Sequence, residues 1–335
     1  MARKGKYRSR LNWVVIILVS AVVAFCVLGT LQDKYGLELI DLKLPSLGQI
    51  GEYIGEITGE KQDTSVDTMD NALSVSGPAP GDGLTVHMLD MGQADSILIQ
   101  APGLTVLIDA GENNQGGQVL RYLKEQGVDR IDIAIGTHPH SDHIGGMDTV
   151  LEGIPVGKII LPDVPDEIVP TGATYTDLLA AIAEREVEVI LAEPGQQYDL
   201  GDGALLTIVG PLAQYGDLNN MSVVSKLTYG EVAFLFAGDA SAQSELALVD
   251  RGDIRADIMA VPHHGSSSSS TDVFLDAVSP SVALISCGLD NSYGHPHREV
   301  MERLQERDIE IYRTDLMGAI TIVCDGVGVT ISTER

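Results

Sequence analysis

The sequence contains few cysteines and few aromatic residues. Three of its 335 residues are cysteine, and aromatic side chains make up 4% of the chain. Cys26 lies in a long apolar run, whereas Cys287 and Cys324 lie in short apolar segments that are typical of strands. This placement favours buried free thiols over a catalytic nucleophile or a disulfide. Valine, isoleucine, leucine and alanine are plentiful, so the chain can bury an ordinary core and is not disordered.

Positive charge is also scarce. The chain has 21 lysines and arginines against 48 aspartates and glutamates, which gives a formal net charge of −27. After residue 83 there are 13 basic and 38 acidic residues. Non-specific binding to nucleic acid usually depends on a basic track that displaces counterions. No such track is visible, so the charge by itself favours a small or neutral substrate.

One long hydrophobic run is present, at 13–31. The segment WVVIILVSAVVAFCVLGTL is uncharged, about as long as a bilayer core requires, and follows the basic sequence MARKGKYRSR. It is longer than the apolar part of a cleavable signal peptide, which is the alternative, and no A-x-A-like site stands out. We therefore predict a basic cytoplasmic tail at 1–12, a transmembrane signal anchor at 13–31 and an extracellular location for residues 32–335.

The rest of the chain divides into a linker and a folded domain. Residues 32–83 are rich in glycine, acids and small polar residues without sustained periodicity, which predicts a linker. Residues 84–335 contain twelve β-rich segments and six helical patterns. Strands occur in runs before helices intervene, which favours two packed sheets flanked by helices over a doubly wound sheet.

Three of the eight histidines lie in the segment THPHSDHIGG at 137–146, directly after the apolar run IDIAIG. Packing His138, His140, Asp142 and His143 together is unfavourable unless a positive charge lies between them, and a metal ion supplies that charge. If a strand ends at Thr137, the two residue pairs face two neighbouring ions, with Asp142 and His143 on the turn before a helix.

Eight segments in order resemble the metallo-β-lactamase superfamily and, within it, the hydrolase domain of the ComEC/Rec2 competence proteins. The segments are MLDMGQADSILI, LIDAG, THPHSDHIGG, NNMSVVSKLTYG, LFAGD, VPHHGS, NSYGHP and YRTDLMGAI. The resemblance runs from about residue 84 to the C-terminus. It implies an α/β (α+β) fold, an αββα four-layer sandwich, with the metal site at one edge between the two sheets. The predicted transmembrane helix precedes this domain.

The resemblance adds further candidate site residues. It implies that Asp239, at a strand end, bridges two ions, although a helix N-cap is the alternative. Of the adjacent His263 and His264, we expect strand alternation to separate the rings, with His264 on metal and His263 facing the substrate. His295 is predicted to face the substrate or leaving group, so that Asp142, His263 and His295 form the predicted catalytic set.

Other predicted residues support the ligands. Asp109 in LIDAG resembles a carboxylate that orients the ligand loop without touching metal. The sequence has no histidine between His143 and His263, where many members of the superfamily have another ligand. The ComEC-like branch has asparagine and serine there, which match Asn219, Asn220 and Ser222, and Asn220 and Ser222 are the predicted site residues. Asp95 is the remaining predicted supporting or substrate-facing residue.

Two divalent ions, zinc or manganese, are therefore the expected cofactors. Such a pair lowers the pKa of a shared water and suits hydrolysis of a phosphodiester. The sequence leaves three hypotheses open: a ComEC-like phosphodiesterase with single-stranded DNA as a candidate substrate, an envelope phosphodiesterase or esterase of the phosphorylcholine esterase type, and a non-catalytic envelope binding protein. The chain has one apolar run and no multi-helix channel, so we do not expect it to translocate DNA itself.

Overall fold

Residues 83–335 are described by the computed structural model of this chain. The predictions for the cytoplasmic tail at 1–12, the anchor at 13–31 and the linker at 32–82 lie outside the described residues. Between residues 83 and 335, no helix is both long enough and apolar enough to cross a membrane.

The first of two sheets contains eight strands in the order β15-β14-β1-β2-β3-β4-β5-β6. Strands β3 to β6 are parallel neighbours, whereas β15, β14, β1, β2 and β3 pair in antiparallel fashion. The strands are β1 (Leu84–Met88), β2 (Ile97–Gln100), β3 (Thr105–Ile108), β4 (Ile131–Ile135), β5 (Val156–Leu161), β6 (Glu188–Leu191), β14 (Ile320–Cys324) and β15 (Val329–Thr333).

The second sheet contains seven strands in the order β13-β12-β11-β10-β9-β8-β7. Its strands β10 to β13 are parallel neighbours, and β7 to β10 pair in antiparallel fashion. The strands are β7 (Gln197–Gly201), β8 (Ala204–Gly210), β9 (Val224–Tyr229), β10 (Val232–Phe236), β11 (Ile258–Ala260), β12 (Val282–Ile285) and β13 (Glu310–Arg313).

Eight α-helices lie in the described part of the chain. They are α1 (Gly116–Glu125), α2 (Ser141–Ile144), α3 (Met147–Gly153), α4 (Ala173–Arg185), α5 (Ala242–Arg251), α6 (Asp272–Val278), α7 (Arg298–Gln305) and α8 (Thr314–Met317). The single-turn helix α2 carries Asp142 and His143, which the sequence analysis placed on a turn before the helix.

Successive side chains of each strand point to opposite faces of its sheet, and the buried ones form three hydrophobic clusters. Val106 and Ile108 of β3 pack with Phe234 of β10 in the cluster that joins the two sheets, because alternate side chains point to one face. The intervening Leu107 packs against helices α1, α3 and α4, and Leu235 packs against α5, α6 and α7. Each fully buried leucine or phenylalanine stabilises the fold by about 1.5–3 kcal/mol. The layers are therefore helix, sheet, sheet and helix, and the predicted αββα sandwich is confirmed.

Candidate metal centre

The candidate metal centre lies where strands of both sheets end. Asp109 follows β3, His138 follows β4, Asp239 follows β10 and His264 follows β11. Strands β3 and β4 are parallel to each other, as are β10 and β11. Their carboxyl ends therefore bring residues that are far apart in sequence to one edge of the sandwich.

The first group of possible ligands consists of His138, His140 and Asp239. The His138 Nε2 atom lies 2.9 Å from His140 Nδ1 and 3.6 Å from Asp239 Oδ2. His138 and Asp239 are buried, whereas His140 is partly exposed. Two imidazole nitrogens and a carboxylate oxygen are a ligand set that zinc commonly uses.

The second group consists of Asp142, His143 and His264. Asp142 Oδ2 lies 3.4 Å from His264 Nε2. The Asp239 Oδ1 atom lies 3.1 Å from His143 Nε2 and 4.0 Å from His264 Nε2. One oxygen of Asp239 therefore faces each group, as the predicted bridging role requires, and its side chain points at the histidines instead of capping α5.

Three buried polar atoms in this centre have no hydrogen-bond partner: His143 Nε2, His264 Nε2 and Asp239 Oδ1. The approach of His143 Nε2 to Asp239 Oδ1 is close in distance but does not form a hydrogen bond. Leaving such groups buried and unpaired costs roughly 1–3 kcal/mol each. A divalent cation between them removes that cost, so the residues fit a metal site.

The opposite nitrogen of each ring is already engaged. His143 Nδ1 lies 2.8 Å from Asp109 Oδ2, and His264 Nδ1 lies 3.0 Å from the carbonyl oxygen of Ser286. Both oxygens are acceptors, so each Nδ1 donates its hydrogen, and in the neutral ring Nε2 then carries the free lone pair. This tautomer is the one that a metal ligand needs.

In the centre, burial and the neighbouring charges shift the pKa values of Asp239 and His143 in opposite directions. Burial favours a raised pKa at Asp239, but the rings of His143 and His138 lower its pKa well below the ordinary value. Burial favours a lowered pKa at His143, but Asp239 and Asp109 raise its pKa well above the usual range. Burial and the neighbouring His143 ring lower the pKa of His138 well below its ordinary value. The carboxylates thus favour positive charge at this edge of the sandwich, which is also what a cation supplies.

Asp109 and Thr137 form a buried bridge between β3 and the ligand loop. Asp109 accepts hydrogen bonds from the Thr137 amide at 2.8 Å and the Thr137 hydroxyl at 2.7 Å, in addition to its contact with His143. The structure therefore places Asp109 where it orients His143. Thr137 was quoted in the motif but not identified as a functional residue, because a threonine at a strand end carries no distinct signal.

Ser222 and Asp95 also adjoin the ligands. The Ser222 hydroxyl lies 3.3 Å from His138 Nδ1 and accepts a hydrogen bond from the Asp239 amide at 3.0 Å. Asp95 Oδ1 lies 3.3 Å from His264 Nδ1, is buried and lacks a hydrogen-bond partner. Both residues contact side chains of the centre, and the supporting roles predicted for them stay predictions.

The two adjacent histidines lie in a turn, so the expectation that strand alternation separates them is wrong. Strand β11 ends at Ala260, and His263 and His264 both have φ of 54° in the turn Pro262–Gly265. His263 Nε2 lies 3.5 Å from Asp239 Oδ2, so both rings approach the same carboxylate. His264 is fully buried, while the side chain of His263 is 22% exposed. This difference keeps His264 as the candidate ligand and His263 as the substrate-facing candidate.

Of the two asparagines that match the family segment, Asn219 approaches the centre and Asn220 does not. Asn219 Nδ2 lies 3.5 Å from His263 Nε2. Asn220 instead donates to Asp217 Oδ2 at 2.8 Å and accepts from the Ser244 amide at 2.9 Å, which ties it to the start of α5. The adjacent positions are equivalent in composition, and only the tertiary structure distinguishes them.

His295 lies beside the centre, in the loop between β12 and α7. Its ring centroid is 5.7 Å from that of His263 and 6.3 Å from that of His264. Gln93 accepts a hydrogen bond from the Gly288 amide through Oε1 and donates through Nε2 to His295 Nδ1, at 3.1 and 3.2 Å. His295 Nε2 is therefore the protonated nitrogen and can donate to a substrate oxygen. Sequence reasoning missed Gln93, although it lies within the quoted segment MLDMGQADSILI.

Cys287 and Cys324 are buried free thiols. Cys324 ends β14 of the first sheet, and Cys287 follows β12 of the second. The expectation of buried free thiols is confirmed for these two residues, and Cys26 lies outside the described range.

The fold and this group of histidines and aspartates define the class of protein. The profile of the Metallo-beta-lactamase superfamily matches residues 89–289. The chain belongs to this superfamily and is a hydrolase of the metal-dependent type, with candidate ligands for divalent metal.

The relatives narrow the resemblance. The chain is 29% identical over 259 residues to ComE operon protein 3 of Bacillus subtilis, with 70% of this chain and 32% of that protein covered. It is 31% identical over 246 residues to competence protein ComA of Neisseria gonorrhoeae, with 72% and 32% covered. It is 30% identical over 244 residues to recombination protein 2 of Haemophilus influenzae, with 71% and 28% covered. The resemblance to ComEC/Rec2 hydrolase domains is confirmed, and the chain spans about a third of the length of these relatives.

Proposed function

We propose that the domain at 84–335 is a ComEC-like phosphodiesterase that uses two divalent ions. The observation that carries the proposal is the pair of ligand groups that share Asp239, one oxygen facing each group. His138 and His140 would hold one ion with Asp239, and Asp142, His143 and His264 would hold the other. A pair of such ions supplies an activated water and stabilises charge on the attacking and leaving oxygens of a phosphodiester.

The protein supplies orientation and proton donors around that pair. His263 and His295 are partly exposed, whereas the ligand rings of His138, His143 and His264 are buried. The two partly exposed rings lie next to each other, with centroids 5.7 Å apart, and would face a bound substrate. The Nε2–H of His295, set by Gln93, is placed to donate to a phosphate or leaving-group oxygen. The number of imidazoles favours zinc, whereas the carboxylates are compatible with manganese.

The substrate and location are part of the same proposal. The competence relatives favour a nucleic-acid phosphodiester, with single-stranded DNA as the substrate. The basic segment 1–12 and the apolar segment 13–31 support a single-pass anchor with its N-terminus in the cytoplasm, so that the catalytic domain is extracellular.

A second candidate is favoured by the charge of the domain. Its 38 acidic and 13 basic residues repel a polyanion, and a choline phosphodiester of the cell envelope carries a cationic group instead. The same ligand groups serve both reactions. The two candidates differ in the substrate that is hydrolysed fastest.

The test is hydrolysis by the full-length chain, purified in detergent and supplied with Mn²⁺ or Zn²⁺. The substrates are single-stranded DNA, bis-p-nitrophenyl phosphate and a choline phosphodiester. We expect metal-dependent cleavage of the first two substrates. Asp239→Asn should lower the rate roughly 100-fold or more, because changes to residues that only hydrogen-bond to the ligands already cost about 10–100-fold. Asp308→Asn is the matched control, since this exposed aspartate has a left-handed φ that asparagine tolerates.

Faster cleavage of the choline ester than of DNA would favour the second candidate. Full metal occupancy with no hydrolysis of any of the three would refute the proposed activity.

A further inference from the structure

Tyr293 is an exposed aromatic residue beside the candidate metal centre. It is 65% exposed and lies in the loop between β12 and α7. Its ring is stacked on His295, with centroids 5.5 Å apart and planes 23° apart. The His295 ring is in turn 6.3 Å from His264 with planes 25° apart. Three nearly parallel rings therefore lead from solvent to a candidate metal ligand.

The loop that carries Tyr293 is held from several sides. Asn291 donates to the carbonyl oxygens of Gly288 and His295 and accepts from the His295 amide, at 2.8, 2.6 and 3.0 Å. His297 Nε2 lies 3.2 Å from the Tyr293 carbonyl oxygen. A single exposed aromatic side chain is ordinary on a protein surface. Here, however, the loop holds the ring in place before any ligand arrives, which lowers the entropy cost of binding.

The charge of the domain indicates which contacts are available to a nucleic acid. With 38 acidic and 13 basic residues, the domain provides little attraction for phosphates away from the metal centre. The nearby Arg298 is paired with Glu302 at 3.4 Å. Affinity for a single strand must then come from uncharged contacts, and base–aromatic stacking is the main contact of that kind.

We propose that the open face of Tyr293 is a stacking subsite for a base of a single-stranded nucleic-acid substrate. The two centroid separations place Tyr293 within about 12 Å of His264. Stacked nucleotides rise by about 3.4 Å each, so a few of them connect the subsite to a phosphate at the metal centre. This inference rests on the proposed nucleic-acid substrate and identifies the residue that selects for bases.

The test compares two oligonucleotides that differ only in their bases. One is an octathymidylate, and the other carries abasic residues on the same backbone. In both, sulfur replaces one non-bridging oxygen of each phosphate to slow hydrolysis, so any effect of sulfur on metal is common to the pair. Binding to the metal-loaded, full-length chain is measured by isothermal titration calorimetry.

We expect the wild-type protein to bind the base-bearing oligomer about tenfold more tightly than the abasic one, a difference typical of one stacked base. Tyr293→Leu should reduce this ratio to near one, and Tyr293→Phe should retain it. Val327→Ala is the control, because Val327 is 74% exposed in the β14–β15 turn. That turn contacts Glu231, just before β10, whereas the metal centre follows the other end of β10.

An equal affinity for the two oligomers in the wild type, no measurable binding of either, or a ratio that survives Tyr293→Leu would each overturn the inference. Failure of the proposed function is separate, since it appears as a lack of hydrolysis of ordinary single-stranded DNA. Tighter binding of the base-bearing oligomer, together with no hydrolysis of ordinary single-stranded DNA, would support the subsite and contradict the phosphodiesterase activity.

Discussion

At the scale of single residues, the turn that holds His263 and His264 decides how the centre is built. Both residues have the left-handed backbone that non-glycine residues rarely adopt, and this turn directs both rings toward Asp239. Gly265 continues the turn with φ of 82°, and an added Cβ there would lie 2.5 Å from Pro296 Cβ. The turn therefore depends on glycine for both its backbone and its packing.

The two histidines should respond differently to replacement. We expect His264→Ala to lower metal occupancy, because the buried Nε2 of this ring is one of the candidate ligand atoms of the second group. His263→Ala should retain metal and lower kcat for phosphodiester hydrolysis, because this ring is partly exposed. Elemental analysis and steady-state rates on both variants measure the difference. The reverse pattern would exchange the roles, and metal loss in both would make both rings ligands.

His87 is a buried histidine with a structural environment. It lies 3.1 Å from the Tyr122 hydroxyl, 3.2 Å from the Thr321 hydroxyl and 3.1 Å from Gln100 Oε1. Burial lowers its pKa below the ordinary value, against a smaller opposing effect of the hydrogen bond with Gln100. These contacts give His87 a structural role at some distance from the candidate ligands.

The lowered pKa of His87 predicts a pH dependence of stability. As the pH falls below about 6.5, the unfolded chain takes up a proton at this position before the folded protein does. The wild type should therefore lose stability relative to His87→Gln from about pH 6.5 downward, and the difference should level off below the folded pKa. Urea unfolding of both proteins between pH 7.5 and 5 measures it. Parallel pH profiles of the two proteins would contradict the lowered pKa of His87. Both proteins contain the same metal ligands, so the titration of those ligands cancels in the difference.

At the scale of secondary-structure elements, helix α5 anchors the serine-rich segment 266–270. Glu245 is fully buried and accepts hydrogen bonds from the Ser270 amide, the Thr271 amide and the Thr271 hydroxyl, at 2.5, 2.9 and 2.7 Å. Within the same segment, the Ser268 hydroxyl lies 3.0 Å from His263 Nδ1. The helix thus positions His263 through the serine segment, a connection that sequence reasoning missed.

Replacing Glu245 should increase the mobility of the segment 266–270 without altering the candidate metal ligands. In Glu245→Gln, the side-chain NH2 group replaces an acceptor oxygen, so at least one backbone N–H donor loses its partner. The loss should lower the free energy of unfolding by about 1–3 kcal/mol. We expect faster hydrogen exchange at Ser270 and Thr271 and a lower kcat with metal retained. Urea unfolding, hydrogen exchange and metal analysis test these effects.

The exposed Glu306 provides the control as Glu306→Gln, for which we expect an unchanged unfolding free energy. Equal stability of Glu245→Gln and the wild type would show that the three hydrogen bonds contribute little.

At the scale of the whole molecule, the distribution of charge supports an orientation in the membrane. The first ten residues carry five basic residues and no acid, whereas the part after residue 83 is strongly acidic. A basic flank stays on the cytoplasmic side of an apolar segment, and the other flank is translocated. The acidic domain is therefore proposed to face the exterior.

This orientation can be tested on intact cells. Protease added to protoplasts that express the full-length chain should release a soluble C-terminal fragment, because the proposed topology puts the linker outside the cell. Immunoblotting with antibody against the domain detects the fragment. Full protection of the domain, with digestion only after lysis, would contradict the proposed topology.

The strands that were not predicted from the sequence are those with weak hydrophobic patterns. All twelve predicted strands and six predicted helices occur, with shifted ends, but β5, β7 and β15 were not predicted. Strands β7 and β15 form sheet edges and are mostly exposed or half-buried, so their hydrophobic alternation is weak. Strand β5 begins with half-buried Val156, Gly157 and Lys158, which obscure the apolar residues that follow.

The chemical type of the site and the positions of its main residues along the chain follow from the amino-acid sequence alone. Clustered histidines and aspartates at the ends of apolar segments indicate a metal centre, because such groups are costly to bury unpaired. The folded protein is needed to see that Asp239 faces both ligand groups, that Gln93 contacts His295 and that Asn219 rather than Asn220 contacts His263. Neighbours in sequence follow from the covalent chain, whereas these contacts depend on how two sheets pack and on which way each turn directs its side chains.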